Sequence, residues 1–176
     1  MYSGNFYFIK DQYFIDFPDT RLMKNKEIIN GRPHNRPCYY SFKDDATGIY
    51  WAVPISSQTP KYQKYHDDKL AKHGACYTIH FGYVLGERKA FLIQNMCPVI
   101  PSYINNQYLN ANNGQPIILP SKLSSEIETK AKKALIMHRK GLGLIFPDVL
   151  AIETQLLAKL TPPTPIVTPT TPTTTP

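Results

Sequence analysis

The sequence predicts an α+β fold, with an antiparallel, barrel-like sheet first and helices packed against it late in the chain. Two observations support this prediction. Short aromatic and β-branched segments, separated by turn residues, recur along the chain before residue 105, as is typical of antiparallel strands. Apolar residues then recur at three- and four-residue steps, which is the period of amphipathic helices. Strands followed by helices indicate the α+β class.

The strands are predicted from their aromatic and β-branched content. They span residues 5–10, 37–43, 48–55, 76–81 and 89–94, the last two joined by a tight turn around Gly86. Residues 11–17 either continue the first strand or form one helical turn. The polar, basic stretch 19–36 predicts a long loop. Residues 96–104 contain prolines and predict a short edge strand or a packed irregular segment, and the Asn-rich residues 105–115 predict a loop.

One helix is predicted between the strands, over residues 59–74. Thr59 followed by Pro60 is typical of an N-cap with proline at the first helical position, and Gly74 can close the other end. The segment has few apolar residues, so we expect this helix to lie on the surface.

Two more helices are predicted in the C-terminal third. Ser125 and Glu128 fit a capping box. The apolar positions behind it are Ile127, Ala131, Ala134, Leu135 and His138. Gly141 is expected to end this helix and Pro147 to open the next. The apolar face of that last helix comprises Val149, Ile152, Leu156 and Leu160.

The length and composition predict a single domain. The chain has 176 residues, 42% of them apolar, against roughly 150 residues for an average domain. From Thr161 onward only Thr, Pro, Ile166 and Val167 occur, and such a segment cannot bury a core. We therefore expect one domain over residues 1–160 and an extended, flexible tail over 161–176.

The charge favours a polyanionic partner. Lys and Arg number 20 and Asp and Glu 13, which gives a formal net charge of +7 and a pI near 9.3. Neutralised phosphates release counterions and drive association with nucleic acid. A moderately basic pI is also common among proteins that bind no nucleic acid, so charge alone leaves both interpretations open.

The cysteines and the N-terminus indicate a soluble, cytoplasmic protein without a membrane partner. Cys38, Cys76 and Cys97 are far apart, odd in number and without the spacing of a zinc site. The aromatic N-terminus is interrupted by Lys10, Asp11 and other charges, unlike a secretory signal or an apolar span.

Motifs for metal or nucleotide chemistry are absent from the sequence. The acidic pairs Asp44–Asp45 and Asp67–Asp68 fall in turn and surface-helix contexts rather than in a Mg²⁺-binding cluster. The glycines of residues 141–143 lack the Gly-Lys-Ser/Thr of a phosphate-binding loop. We therefore expect neither a metal nor another cofactor.

Metal-free RNA cleavage needs no cluster of carboxylates, because the RNA supplies its own 2′-hydroxyl nucleophile. The protein must move protons and stabilise the phosphorane. Residues 31–37 (GRPHNRP) and 56–61 (SSQTPK) carry suitable basic, imidazole and hydroxyl groups. If the strands over 37–43 and 48–55 pair as a hairpin, both segments meet at one sheet edge. The alternative interpretation is a solvated loop and a helix cap without catalytic function.

In order along the chain, these segments resemble the type III toxin–antitoxin ribonuclease toxins, the ToxN-like group, most closely its CptN branch. The resemblance covers roughly residues 5–160. The segments that carry it are Arg36-Pro37, Ile49–Pro54, Ser56-Ser57, Pro60-Lys61 and Asn95-Met96-Cys97-Pro98-Val99.

The resemblance implies a compact, highly twisted antiparallel sheet with peripheral helices, two of them C-terminal. It implies a metal-independent, sequence-specific endoribonuclease that leaves a 2′,3′-cyclic phosphate and a 5′-hydroxyl. The implied partners are cellular or phage RNA as substrate and an antitoxin RNA pseudoknot. The toxin would cut that pseudoknot from a tandem-repeat precursor and retain it as inhibitor in a closed protein–RNA assembly, as part of phage defence.

The resemblance also implies the catalytic residues. Ser57 matches the active-site serine and Ser56 the hydroxyl residue before it. Lys61 matches the lysine that follows the proline, and Arg36 the basic residue before the first hairpin strand. We expect Lys61 and Arg36 to stabilise phosphorane charge and Ser57 to donate a hydrogen bond to a phosphate oxygen. His34 is the candidate for proton transfer. His34 or Arg32 could instead hold the role of Arg36. Gln58-Thr59 is inserted relative to the family, so Thr59 could replace one of the serine hydroxyls.

A wider set of basic and aromatic residues is expected to contact RNA. It comprises Arg32, Lys64, Tyr65, His66, Lys69, Lys72, Arg88 and Lys89. Two other functions remain open at this point: a non-catalytic basic domain that binds and regulates RNA, and a protein-interaction domain whose pI is incidental.

Overall fold

A computed structural model describes residues 1–2, 4–29 and 31–160, and the α+β class is confirmed. The predicted tail over 161–176 lies outside the described residues. The strands are β1 (Phe6–Ile9), β2 (Lys26–Ile29), β3 (Arg32–Asn35), β4 (Cys38–Lys43), β5 (Tyr50–Ser56), β6 (His80–Val84), β7 (Glu87–Phe91), β8 (Cys97–Val99) and β9 (Ile104–Gln107). The helices are α1 (Asp11–Asp16), α2 (Thr59–His73), α3 (Ser121–Met137) and α4 (Val149–Leu160).

The main sheet is antiparallel throughout, in the order β6-β7-β5-β4-β1-β9, with β8 also beside β5. Its end strands β6 and β9 do not pair with each other within the described chain, so the sheet is open rather than closed into a barrel. One edge of β5 has two partners. Tyr50–Ala52 pairs with β8, whereas Ile55 and Ser56 pair with β7, which brings the β6–β7 hairpin to the end of β5.

Each face of the sheet carries its own helical cover. On one face, Phe6, Tyr39 and Trp51 are fully buried with the apolar side of α3. On the other face, Ile9 and Ala52 pack with α1, β8 and α4. Successive strand residues point to opposite faces. Because both faces are covered, the central strands β1, β4 and β5 consist mostly of apolar residues. No described helix combines the length and apolar composition needed to cross a membrane.

The predicted loop over 19–36 is wrong in its second half. Residues 26–29 and 32–35 pair as the antiparallel hairpin β2–β3, a two-stranded sheet outside the main one. A two-stranded ribbon satisfies its backbone hydrogen bonds without an apolar face. Hydrophobic alternation, the pattern used to predict the other strands, is therefore missing here.

Two other strand boundaries differ from prediction. β6 begins at His80 rather than Cys76, because residues 76–79 form an irregular buried segment in which the Thr78 carbonyl accepts the Gln94 amide at 3.0 Å. The predicted loop over 105–115 begins as β9, which pairs with β1. The segment 96–104 contains β8 and a 3₁₀ turn, in agreement with the prediction of a short packed strand.

The helices form as predicted, but their N-termini differ. Thr59 is the first residue of α2 rather than its cap, and Gly74 closes the helix in the left-handed conformation at φ 69°. α3 begins at Ser121, about one turn before the predicted capping box, because Pro120 already provides the break. Its predicted apolar residues are buried except for His138, which is half-buried. In α4, Leu160 is 43% exposed, contrary to prediction.

Candidate active site

A cleft lies where the end of β5 meets the β6–β7 hairpin. Its volume is about 210 Å³. The residues that line it are Asn35, Pro37, Ile55, Ser56, Ser57, Val84, Leu85, Glu87, Lys89 and Tyr108. The two segments predicted to converge at one sheet edge do so through residues 35–37 and 55–57, because β4 and β5 pair with Cys38 opposite Pro54.

A hydroxyl, an ammonium and a carboxylate meet in this cleft. The Lys89 ammonium donates a hydrogen bond to Ser57 Oγ at 2.8 Å and forms an ion pair with Glu87 Oε2 at 2.5 Å. The Lys89 side chain is only 16% exposed, whereas that of Glu87 is 72% exposed. The hydrogen bond and charge of Lys89 lower the pKa of Glu87 below its usual value. Glu87 therefore remains a carboxylate beside the ammonium at neutral pH.

The turn from β5 to α2 exposes Ser57 while burying Ser56. Ser56 is 3% exposed, and its hydroxyl oxygen accepts a hydrogen bond from the backbone amide of Gln58 at 3.2 Å. The Thr59 amide donates to the Ser57 carbonyl at 2.8 Å, and α2 starts at that residue. Ser56 thus shapes the turn, which leaves the Ser57 hydroxyl to face Lys89.

Arg36 is buried behind the cleft rather than in it. Its guanidinium donates to the Ile55 carbonyl and to the Lys24 carbonyl, each at 3.3 Å. Its backbone amide donates to the Asn25 carbonyl at 2.7 Å. The side chain, 8% exposed, joins the end of β5 to the loop before β2, so its position favours holding Ser56 and Ser57 in place.

The other predicted catalytic residues do not line the cleft. Lys61 is exposed on α2, with its ammonium 5.7 Å from the ring centroid of Tyr62 and 6.0 Å from that of Tyr65. Thr59 is partly exposed at the first position of α2. His34 is exposed on β3, where it neighbours the cleft residue Asn35, and successive strand residues point to opposite faces. Their predicted roles stay predictions.

The predicted RNA-binding residues fall into exposed and internally bonded groups. No residue of α2 is buried, and Lys64, Tyr65 and Lys72 are exposed on it. By contrast, the Lys69 ammonium donates to Thr78 Oγ1 at 2.7 Å and to Gln94 Oε1 at 2.8 Å. Burial lowers the pKa of Lys69.

Besides Lys89 in the cleft, three members of that set remain, and they lie on α2 and the two hairpins. His66 is bonded to Asp67 Oδ1 at 3.0 Å. Arg88 donates to Gln63 Oε1 at 2.7 Å and covers the ring of Phe81 at 4.3 Å, and so it ties α2 to the β6–β7 hairpin. Arg32 is exposed on β3.

Sequence reasoning missed the contribution of the β6–β7 hairpin to the cleft. Lys89 was expected only to bind RNA, and Glu87, Leu85 and Tyr108 were not singled out. Ser57 and Lys89 are 32 residues apart and meet because Ser56 pairs with Ala90. The sequence signals for a polar site on this hairpin are the predicted turn at Gly86 and the placement of Glu87 and Lys89 on one face of the following strand.

Two other features of the described residues bear on the chemistry. The described residues contain no group of three or more His, Cys, Asp or Glu placed to hold a metal ion. A larger groove of about 580 Å³ lies between α1 and residues 17–26. Its lining includes Thr20, Lys24 and Lys26, but among the described residues no hydrogen bond joins that hydroxyl to either ammonium. The smaller cleft, where Lys89 is bonded to Ser57, is therefore the better candidate site.

Comparison with solved structures finds this fold in two proteins of antiviral systems. AbiQ, a lactococcal anti-phage endoribonuclease belonging to the type III toxin–antitoxin system, superposes with a TM-score of 0.64 at 17% identity, over 90% of this chain and 99% of that one. A protein from a bacterial antiviral system regulated by a processed non-coding RNA superposes with a TM-score of 0.53 at 14% identity, over 78% and 87% of the two chains. No family model and no curated protein sequence matches the chain. The likeness to AbiQ confirms, at the level of the fold, the resemblance to type III toxin–antitoxin ribonuclease toxins.

Proposed function

We propose that this protein is the endoribonuclease toxin of a type III toxin–antitoxin system and that it cleaves RNA in the cleft between Ser57 and Lys89. The observation that carries the proposal is the 2.8 Å hydrogen bond between these two residues, in a cleft at the sheet edge where the sequence pattern predicted a site. The AbiQ-like fold supports the same reaction class.

The proposed reaction is a transesterification that uses the 2′-hydroxyl of RNA. The 2′-oxygen forms a bond to phosphorus and the bond from phosphorus to the 5′-oxygen breaks, which leaves a 2′,3′-cyclic phosphate and a 5′-hydroxyl. Lys89 stabilises the negative charge on the phosphorane, and Ser57 donates its hydroxyl hydrogen to a phosphate oxygen. The positive charge is supplied by a side chain, so we propose that the reaction is independent of metal ions.

Proton transfer is assigned to the ion pair of Glu87 and Lys89. The Glu87 carboxylate accepts the proton of the 2′-hydroxyl, and Lys89 gives a proton to the leaving 5′-oxygen. The two groups are 2.5 Å apart, so a proton passing from Glu87 to Lys89 restores both. His34 remains the alternative proton acceptor from the sequence pattern.

Partner RNA would bind along α2 on this proposal. The exposed side chains of Lys61, Lys64 and Lys72 offer phosphate contacts, and Tyr65 offers a ring for stacking. An antitoxin RNA pseudoknot, cut from a repeat precursor and held in a closed assembly with the toxin, is the partner that the family resemblance implies. Its retention at the cleft would block access of other RNA.

The test is cleavage of a long RNA by RNA-free protein in excess EDTA, with analysis of the fragment ends. We expect discrete fragments that carry 2′,3′-cyclic phosphates. Ser57→Ala and Lys89→Met should each lower the rate roughly 100-fold or more, and Lys64→Met, which alters an exposed lysine outside the cleft, should retain turnover at saturating RNA.

The second candidate is a non-catalytic RNA-binding domain, which the exposed basic surface of α2 favours. RNA that stays intact while it binds the folded wild-type protein, in EDTA and also with Mg²⁺ present, would overturn the nuclease proposal and support this one. Cleavage that requires Mg²⁺ would overturn the metal-independent mechanism.

A further inference from the structure

The lining of the cleft falls into two chemical groups. Ser57, Glu87 and Lys89 are polar or charged, whereas Val84, Leu85 and Tyr108 contribute apolar and aromatic surface. The volume of about 210 Å³ is below the roughly 300–1,000 Å³ of pockets for drug-sized ligands. The cleft is therefore sized for a group of about one nucleotide rather than for a longer stretch of RNA. A charged part beside an apolar part matches the phosphate and the base of one nucleotide.

Tyr108 lines the cleft with an aromatic side chain that contacts two other rings. Its ring meets the ring of Phe8 edge-on at 5.5 Å between centroids, and that of Phe6 at 6.4 Å. Its backbone amide donates to the Phe6 carbonyl at 2.9 Å, and its carbonyl accepts the Ile117 amide at 3.2 Å. A ring fixed in this way, half-buried and lining a cleft, is suited to stack on a base without further ordering.

Leu85 lies at the rim of the same cleft in an unfavourable backbone conformation. It is the one described residue other than glycine with a positive φ, 52°, and it is 54% exposed. Leu85 and Gly86 connect β6 and β7 in a two-residue turn with both φ values positive, a geometry for which Asn-Gly is favoured over Leu-Gly. A leucine here costs backbone energy and gains little burial, so packing in the free protein does not account for it.

We propose that Leu85 and Tyr108 form the base-binding subsite of the nuclease and decide which nucleotide is accepted beside the cleaved bond. This inference rests on the proposed function. The base packs between the Leu85 side chain and the Tyr108 ring, while its phosphate meets Ser57 and Lys89. Asn35 lies at the cleft with an amide that can read the edge of the base. The energetically unfavourable leucine at the turn then has a function in the complex.

The experiment is cleavage of an RNA pool randomised around the cut site, with sequencing of the products to give the relative kcat/KM for each base. Leu85→Asn and Tyr108→Leu should reduce the preference at one position by roughly 5- to 100-fold. Tyr108→Phe keeps the ring and should keep the preference. Leu109→Asn is the matched control, because Leu109 is 46% exposed next to Tyr108 and does not line the cleft.

Leu85→Asn separates recognition from folding. Asn suits the turn better than Leu, so the thermal midpoint of this variant should equal or exceed that of the wild type while its base preference falls. Wild-type cleavage with an unchanged preference in both Leu85→Asn and Tyr108→Leu would overturn the subsite and leave the proposed function standing. Failure of the wild type to cleave any RNA in the pool would overturn both.

Discussion

At the scale of single residues, the candidate site depends on a buried charge that does not line it. The guanidinium of Arg36 is bonded to the carbonyl of Ile55, two residues before Ser57, and to that of Lys24. Removing a charged donor from a buried position leaves these carbonyls without their partner. We therefore propose that Arg36 is a positioning residue, whereas the sequence analysis expects it to stabilise phosphorane charge.

Replacing Arg36 with Met should lower the free energy of unfolding by about 2–4 kcal/mol, because two hydrogen bonds from a buried charged group are lost. Chemical denaturation measures this loss. The kcat of RNA cleavage should fall with little change in KM, since the Ser57 hydroxyl is displaced rather than removed. Arg32→Met, on the exposed neighbouring strand, is the control and should leave the unfolding free energy within about 0.5 kcal/mol. Equal stability of the two variants would show that Arg36 holds nothing in place.

At the scale of elements, the predicted and unpredicted parts of the fold differ in the kind of contact that forms them. The β4–β5 hairpin and the helices α3 and α4 could be predicted from their residues, because apolar periodicity records burial directly. The β2–β3 hairpin could not, since its pairing leaves no such period. The meeting of Ser57 with Lys89 depends on which strand pairs with the end of β5, a non-local choice that local pattern does not contain.

The lysines of α2 should separate into two classes. Lys64 and Lys72 are exposed, so replacing both with Met should reduce the slope of log affinity for RNA against log salt by about 1.4, at roughly 0.7 per single-strand phosphate contact. Lys69 bonds to Thr78 and Gln94, so Lys69→Met should lower the thermal midpoint by several degrees with the slope unchanged. Binding titrations over a salt series measure the slope, and thermal melts measure the midpoint. An unchanged slope in the Lys64/Lys72 double variant, or a reduced slope with an unchanged midpoint in Lys69→Met, would refute this division.

Packing of α3 on β6 makes the stability depend on pH through His80. Burial lowers the pKa of His80, with Lys130 and His66 acting in the same direction and Glu126, whose Oε2 is 3.3 Å from His80 Nε2, opposing them. The folded state then binds its proton less readily than the unfolded state. The contribution of neutral His80 to the free energy of unfolding is complete above the pKa of the unfolded state, about 6.5. It is lost as the pH falls through the lower pKa of the folded state.

The free energy of unfolding should therefore decrease as the pH is lowered from 7 to 5, and His80→Gln should flatten that decrease. A residual slope is expected from His138, whose pKa burial also lowers. Denaturation curves of both proteins at several pH values give the two slopes. An identical slope in His80→Gln would mean that His80 titrates alike in the folded and unfolded states.

At the scale of the whole molecule, the sheet has both faces covered by helices, and the candidate site lies at the end of β5. α3 covers one face, and α1 and α4 cover the other, so the cleft forms where strand pairing changes from β8 to β7 along β5. The exposed helix α2 leaves directly from that point. Strand pairing that holds Ser57 beside Lys89, next to the exposed lysines of α2, is consistent with both the RNA binding and the RNA cleavage that we propose.

The most direct test of this account is the single-turnover cleavage rate of one RNA by the wild type, Ser57→Ala, Lys89→Met and the double variant, all shown to be folded. If the two residues form one catalytic site, each single substitution should reduce the rate roughly 100-fold or more, and the double variant should be little slower than the slower single one. Rates that fall independently and multiply in the double variant, or that stay near the wild-type value, would contradict a shared Ser57–Lys89 site.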